Sequence, residues 1–149
     1  MPGFQRADVD RAMGLLGASL CVLSAAHERT RGAVAVRWGM QCAHDPVLIC
    51  VAVRKGHGVE PLIRDSHSFA LNLVDRRDRL LMRTFDRSET WEDDPFDAFE
   101  VCKLETGSPV LMRALAALDC EVVRHFDLED ADHELYVGRV LAARVNEGV

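Results

Sequence analysis

The chain has 149 residues, 48% hydrophobic and 28% charged, which suits one domain with a sizeable core. With 24 Asp and Glu against 18 Lys and Arg, its net charge of −6 argues against a nucleic-acid-binding surface, which would carry clustered basic charge. No apolar run reaches membrane-spanning length, and Arg6, Asp8 and Asp10 do not fit a signal peptide, so a single cytoplasmic domain over 1–149 is expected, with no membrane partner.

In chain order, residues 1–7 read as a loose arm. Asp8 is a fair helix N-cap, and Val9, Ala12, Met13 and Leu16 recur at helical spacing, predicting a helix over 9–15 that Gly14 and Gly17 end. A strand over 18–25 and a charged turn over 27–32 lead into two Val- and Ile-rich strands, 33–38 and 47–53. Between them, 39–46 does not read as a clean strand, because Gly39 permits unusual backbone angles and Pro46 removes a donor. Such a bend leaves backbone N–H groups in need of partners, and Lys55-Gly56-His57-Gly58 supplies more beside a cation. Both places suit a ligand with a phosphate and a polar-edged ring.

Further on, a helix is predicted over 59–66 with Leu62 and Ile63 inward, then a strand over 69–74. A second helix over 77–85 carries Leu80, Leu81 and Phe85 as an apolar stripe between arginines. Residues 86–97 form an acidic, turn-rich surface excursion around Trp91. Weak alternation over 99–104 and a break at Gly107-Ser108-Pro109 precede two long strands, 115–126 and 133–145, joined by an acidic turn at 129–132. About six strands with so few helices suggest a closed antiparallel sheet, not a doubly wound parallel one.

Few side chains invite chemistry of their own. Cys42 and His44 would share a strand face near Cys50, but a closed zinc site needs four ligands, so no metal is expected. Five cysteines, an odd count without framework spacing, argue for reduced thiols, with those in apolar runs (Cys21, Cys42, Cys50 and Cys120) as small core residues. Nothing local activates a thiol, and Gly56-x-Gly58 alone is not a dinucleotide fingerprint. His133, after the acidic turn and ahead of a strand, is placed either at a pocket rim or as a solvated turn histidine.

Taken together, the pieces resemble the flavin reductase-like family of FMN-binding split-barrel proteins, which includes small NAD(P)H:flavin oxidoreductases and the C-terminal module of diflavin flavoproteins. The resemblance is carried by Trp38, Gln41, Asp45-Pro46, Val51-Ala52-Val53 running into Lys55, Leu62-Ile63, Ser66, Phe69 and Asn72. It continues through Phe85, Gly107-Ser108-Pro109-Val110-Leu111, Ala117-Leu118-Asp119-Cys120 and Asp132-His133 ahead of Val137-Gly138, and spans about residues 16–145.

It implies a mainly β fold, a six-stranded antiparallel split β-barrel with two or three short packed helices, forming a homodimer with flavin near the subunit boundary. On that analogy Arg37, Trp38, Gly39, Met40, Gln41, Cys42 and Ala43 lie along the isoalloxazine ring and ribityl chain. Lys55, Gly56, His57 and Gly58 face the phosphate, Phe85 and Arg87 close the site, and His133 is the catalytic-side residue near the nicotinamide. The implied activity is reduction of FMN or FAD by NADH or NADPH, supplying reduced flavin to a partner such as a flavin-dependent monooxygenase. The flavin would do the redox work, so no protein acid or base is obligatory.

The alternative is a non-catalytic split-barrel module that binds flavin or another cofactor for a partner protein. A third reading, a catalytically silent scaffold, gains from departures from the family pattern, among them Val47 in place of a second proline after Pro46. Ala35, Arg37 and Ala43 stand where members commonly carry Thr or Ser, each lost hydroxyl bond being worth roughly 0.5–1.5 kcal/mol. Arg37 would compensate by gripping phosphate bidentately.

Overall fold

The computed structural model describes residues 5–86 and 94–148, so the expectations for Arg87 and Trp91 fall outside the described residues. Helix α1 spans Arg6–Leu16, starting earlier than the spacing suggested. Asp8 lies in its first turn, where a carboxylate suits the helix dipole, while Gln5 holds the cap position without a side-chain bond. No residue of α1 is buried. Of the apolar residues that predicted it, only Val9 is even half-buried.

Strands β1 (Cys21–His27) and β2 (Thr30–Val36) form a hairpin in which Cys21 pairs with Val36 and His27 with Thr30. Strands β3 (Gly39–His44) and β4 (Val47–Arg54) form the next. Residues 39–44 were expected to be irregular, yet they make a strand, because pairing with β4 gives their backbone groups partners. The irregularity shrinks to one bulge between Gln41 and Ala43, which leaves Cys42 exposed at the sheet edge, outside the core.

Helix α2 (Val59–Ser66) buries Val59, Leu62 and Ile63 and leads to β5 (Ser68–Leu73). Helix α3 runs Arg79–Phe85, two residues later than expected. The reason is local: the Asp78 carboxylate accepts the Leu81 N–H at 3.3 Å as an N-cap and is held by Arg113 at 2.8 and 2.9 Å. Leu81 and Phe85 are buried but Leu80 is exposed, so the apolar stripe is narrower than its spacing implied. A short ribbon of β6 (Val101–Cys102) and β7 (Val110–Leu111) precedes the long hairpin of β8 (Ala116–Asp127) and β9 (His133–Val145).

The main sheet has the order β2-β1-β5-β8-β9-β4-β3, antiparallel throughout. Among the described residues it has seven strands, one more than the six expected, since the bend contributes β3. The two ends of this order come together, because only Arg37 and Trp38 separate β2 from β3 and β2 lies against β4, while the Ala52 N–H donating to the Trp38 carbonyl at 2.9 Å carries the β3–β4 pairing up to that corner. The sheet therefore curls into a split barrel of the mainly β class.

Period-2 alternation separates the two larger of three buried apolar clusters among the described residues, the third being small and centred on Ala70, Val110 and Ala117. Leu23, Val51, Val53, Phe69 and Tyr136 fill the barrel, which α2 caps with Val59 and Ile63. On the outer face Val22, Ala33 and Val74 meet Leu81 and Phe85 of α3 together with Phe96 and Phe99. Among the described residues no helix is long and apolar enough to cross a membrane.

Candidate functional site

A groove of about 250 Å³ opens along the seam where the two ends of the sheet meet. β2 supplies one wall through Val34, Ala35 and Val36, and the Arg37-Trp38 connection its floor. On β4, alternation turns Val51 and Val53 into the barrel and Ala52 and Arg54 outward to form the second wall. His57, Asp86 and His133 complete the lining.

The Trp38 indole is 58% exposed and lies 4.8 Å from the His133 ring, tilted by 51°. It offers a flat apolar face to a planar guest. His133 is oriented by Asp132, its Nδ1 lying 2.7 Å from the carboxylate Oδ1. That hydrogen bond, with the electrostatic pull of His133, holds the Asp132 carboxyl below the usual carboxylate range. Arg54 stands 3.9 Å from the second oxygen of Asp132, and Arg37 lies 3.3 Å from Asp86. Both pairs are half exposed or more, where an ion pair contributes only about 0–1 kcal/mol, so either guanidinium turns to an anionic guest at little cost.

His57 lies in the turn between β4 and α2, with its ring buried and its Nδ1 accepting the Val59 N–H at 3.1 Å. Gly56, at φ +84°, is where that turn needs the left-handed region. Thus Arg37, Trp38, His57 and His133 line one groove, with Gly56 and Gly58 in the turn that carries His57.

Other expected site residues lie elsewhere. Lys55 sits 2.9 Å from Asp127 and donates to the Leu128 carbonyl at 2.8 Å, tying β4 to the β8–β9 turn instead of facing the groove. Phe85 is fully buried, with Phe96 and Phe99 at 5.3 and 5.5 Å, because α3 turns it into the outer core. Gly39, Met40, Gln41, Cys42 and Ala43 run along edge strand β3, beyond the groove lining. Gln41 spends its amide on the Ala43 carbonyl at 3.1 Å.

Arg54 and Asp86 were not singled out from the sequence. Alternation could have found Arg54, co-facial with Ala52 once Val51 and Val53 are read as core, whereas nothing local marks Asp86. The thiols stay outside this chemistry. Burial pushes Cys21 up to about 11 and Cys120 up to about 12, and burial with the nearby Cys42 raises Cys50.

A family profile described as "Flavin reductase like domain" matches residues 13–149. The Diflavin flavoprotein A 1 of Synechocystis sp. (strain ATCC 27184 / PCC 6803 / Kazusa) is 30% identical over 139 residues, 93% of this chain and 24% of that protein. The chain thus spans about a quarter of the length of the curated relatives it matches. Among solved structures, the NADH:FAD oxidoreductase SgcE6 of Streptomyces globisporus C-1027 aligns with a TM-score of 0.81 at 20% identity, covering 97% of this chain and 85% of that one. An FMN-binding protein from Thermus thermophilus aligns with a TM-score of 0.80 at 22% identity, covering 99% and 77%.

Proposed function

The chain belongs to the flavin reductase-like family, and from that premise we propose that it reduces FMN or FAD with NADH or NADPH in the cytoplasm and passes reduced flavin to a partner such as a monooxygenase. The observation that carries this reading is the seam groove, where the exposed Trp38 ring, two loosely committed arginines and an oriented histidine converge. A planar, anionic guest fits those donors. Bound flavin would supply hydride acceptance, which side chains lack.

The chain's own residues bind and orient. Trp38 would cover one face of the ring system, and Ala35 and Ala52 leave room beside it. Arg37 and Arg54 would exchange their exposed carboxylate partners for phosphate, and His133, steadied by Asp132, would stand at the nicotinamide side. The groove is smaller than the roughly 300–1,000 Å³ of closed small-molecule sites, so it suits part of such a guest and leaves the rest open to a neighbouring subunit. A homodimer is proposed on that ground.

The test is anaerobic: purified protein is mixed with FMN or FAD, then with NADH or NADPH, and the visible absorbance of oxidised flavin is followed. Bleaching that requires the protein supports the reading, and no consumption of either nicotinamide with either flavin overturns it.

A second reading is a module that holds flavin for a partner without turnover. It is favoured by Lys55, which the β8–β9 turn already occupies, and by Ala35 in place of a hydroxyl. A yellow protein that oxidises no nicotinamide would establish it over the first.

A further inference from the structure

On the other face of the β8–β9 hairpin from His133, three side chains from three elements converge. Glu60 of α2, His125 of β8 and Glu134 of β9 present an oxygen, a nitrogen and an oxygen that all lie within 4.8 Å of one another. His125 Nε2 is 3.4 Å from Glu134 Oε1. Donors bound tetrahedrally at about 2.0–2.2 Å from zinc stand about 3.4 Å apart, so that edge already has coordination spacing.

A second, independent observation concerns Glu60. It is 6% exposed, and among the described residues no Lys or Arg pairs with it or with Glu134, so the one positive partner at hand is His125, 3.4 Å from Glu134. Two carboxylates this close need positive charge between them, which either a charged His125 imidazole or a bound metal ion supplies. The surroundings hold the donors in place. The Tyr136 hydroxyl donates to Glu60 Oε1 at 3.2 Å, and the Gly56 N–H donates to Oε2 at 3.0 Å. The same Tyr136 ring stacks on His125, with centroids 4.5 Å apart and planes within 17°. One buried tyrosine therefore positions two of the three donors, as the outer partners of metal ligands usually do.

We propose that Glu60, His125 and Glu134 bind one divalent transition-metal ion between α2 and the β8–β9 hairpin. One imidazole and two carboxylates match Zn2+, with water in the remaining position. The site is separate from the seam groove, and its fate does not depend on the flavin reading. Through Gly56 the ion would brace the turn that carries His57.

The test is calorimetric titration of Zn2+ into chelator-treated, desalted protein, with the Cys42→Ser/Cys50→Ser double variant run in parallel, since those thiols are the competing ligands. The expected result is one Zn2+ per chain, retained in the double variant and weakened at least about tenfold by His125→Ala or Glu134→Gln, a loss seen even when only a ligand's supporting group is removed. His125 lies at the surface, so its removal leaves the core intact, and circular dichroism checks this. Co2+ in place of Zn2+ should give visible absorption bands that disappear in His125→Ala. Absence of one-to-one binding overturns the proposal, as does binding that survives His125→Ala and vanishes in the cysteine double variant.

Discussion

Asn72 holds three strands with one side chain. Its amide donates to the Val22 carbonyl at 2.9 Å and the Ser24 hydroxyl at 3.0 Å on β1, and its carbonyl accepts the Leu111 N–H at 2.9 Å on β7. Asn72→Ala strands those buried partners and should cost about 3 kcal/mol in urea unfolding, though the residue does not line the seam groove. Gly138 works by absence. A Cβ there would lie 2.6 Å from Phe69 Cζ and 2.8 Å from Cys120 Cβ, so Gly138→Ala should destabilise by about 1–3 kcal/mol in the same assay.

Residue-scale burial also sets an alkaline limit. Burial raises Cys21 and Cys120 from the ordinary 9.0 to about 11 and about 12, and burial with the Glu60 charge raises Tyr136 from 10.0 to about 12. Each raised group contributes stability that is complete below its unfolded value and is lost as pH climbs toward the folded one, because the unfolded chain releases protons that the folded chain keeps. The urea midpoint should therefore fall between about pH 9 and pH 12, and Cys120→Ala should flatten that fall.

Elements with strict alternation were legible in the sequence. β9 was read with its observed bounds, and β8 within a residue of them, because side chains switch faces regularly along each. β3 was not, since Gly39 and Pro46 read as breakers, while a partner strand and a single bulge accommodate them. α3 was placed two residues early because the Asp78 cap depends on Arg113, 35 residues away. Part of the groove was legible through Trp38, His57 and His133, which sit in the residues that carried the resemblance or beside them. Lys55 and Phe85 were misplaced because their partners, Asp127 and Phe96, lie far along the chain. Kinetics separate the two classes: Trp38→Ala and Arg54→Ala should raise the flavin KM several-fold, while Lys55→Ala should lower Tm and leave KM near its original value.

At the scale of the whole molecule, the apolar surface is uneven. Met13, Leu15 and Leu16 of α1 are 56%, 90% and 76% exposed, and Val145 at the end of β9 is 65% exposed. Apolar side chains gathered on a helix with no buried residue are a frequent mark of an interface. If α1 serves the proposed homodimer, removal of residues 1–16 should turn a dimer into a monomer in sedimentation velocity while leaving near-ultraviolet circular dichroism unchanged. A truncated chain that still sediments as a dimer would assign that interface to another face.

The seam itself has a mechanical consequence. Between β2 and β3 the polypeptide crosses the barrel's split in two residues, and the groove touches both banks of that split. Whatever occupies it works as a clasp, resisting the separation of β2 from β4. Amide hydrogens of β2 should then exchange with deuterium more slowly once the groove is filled, while those at the far side of the barrel keep their original rates.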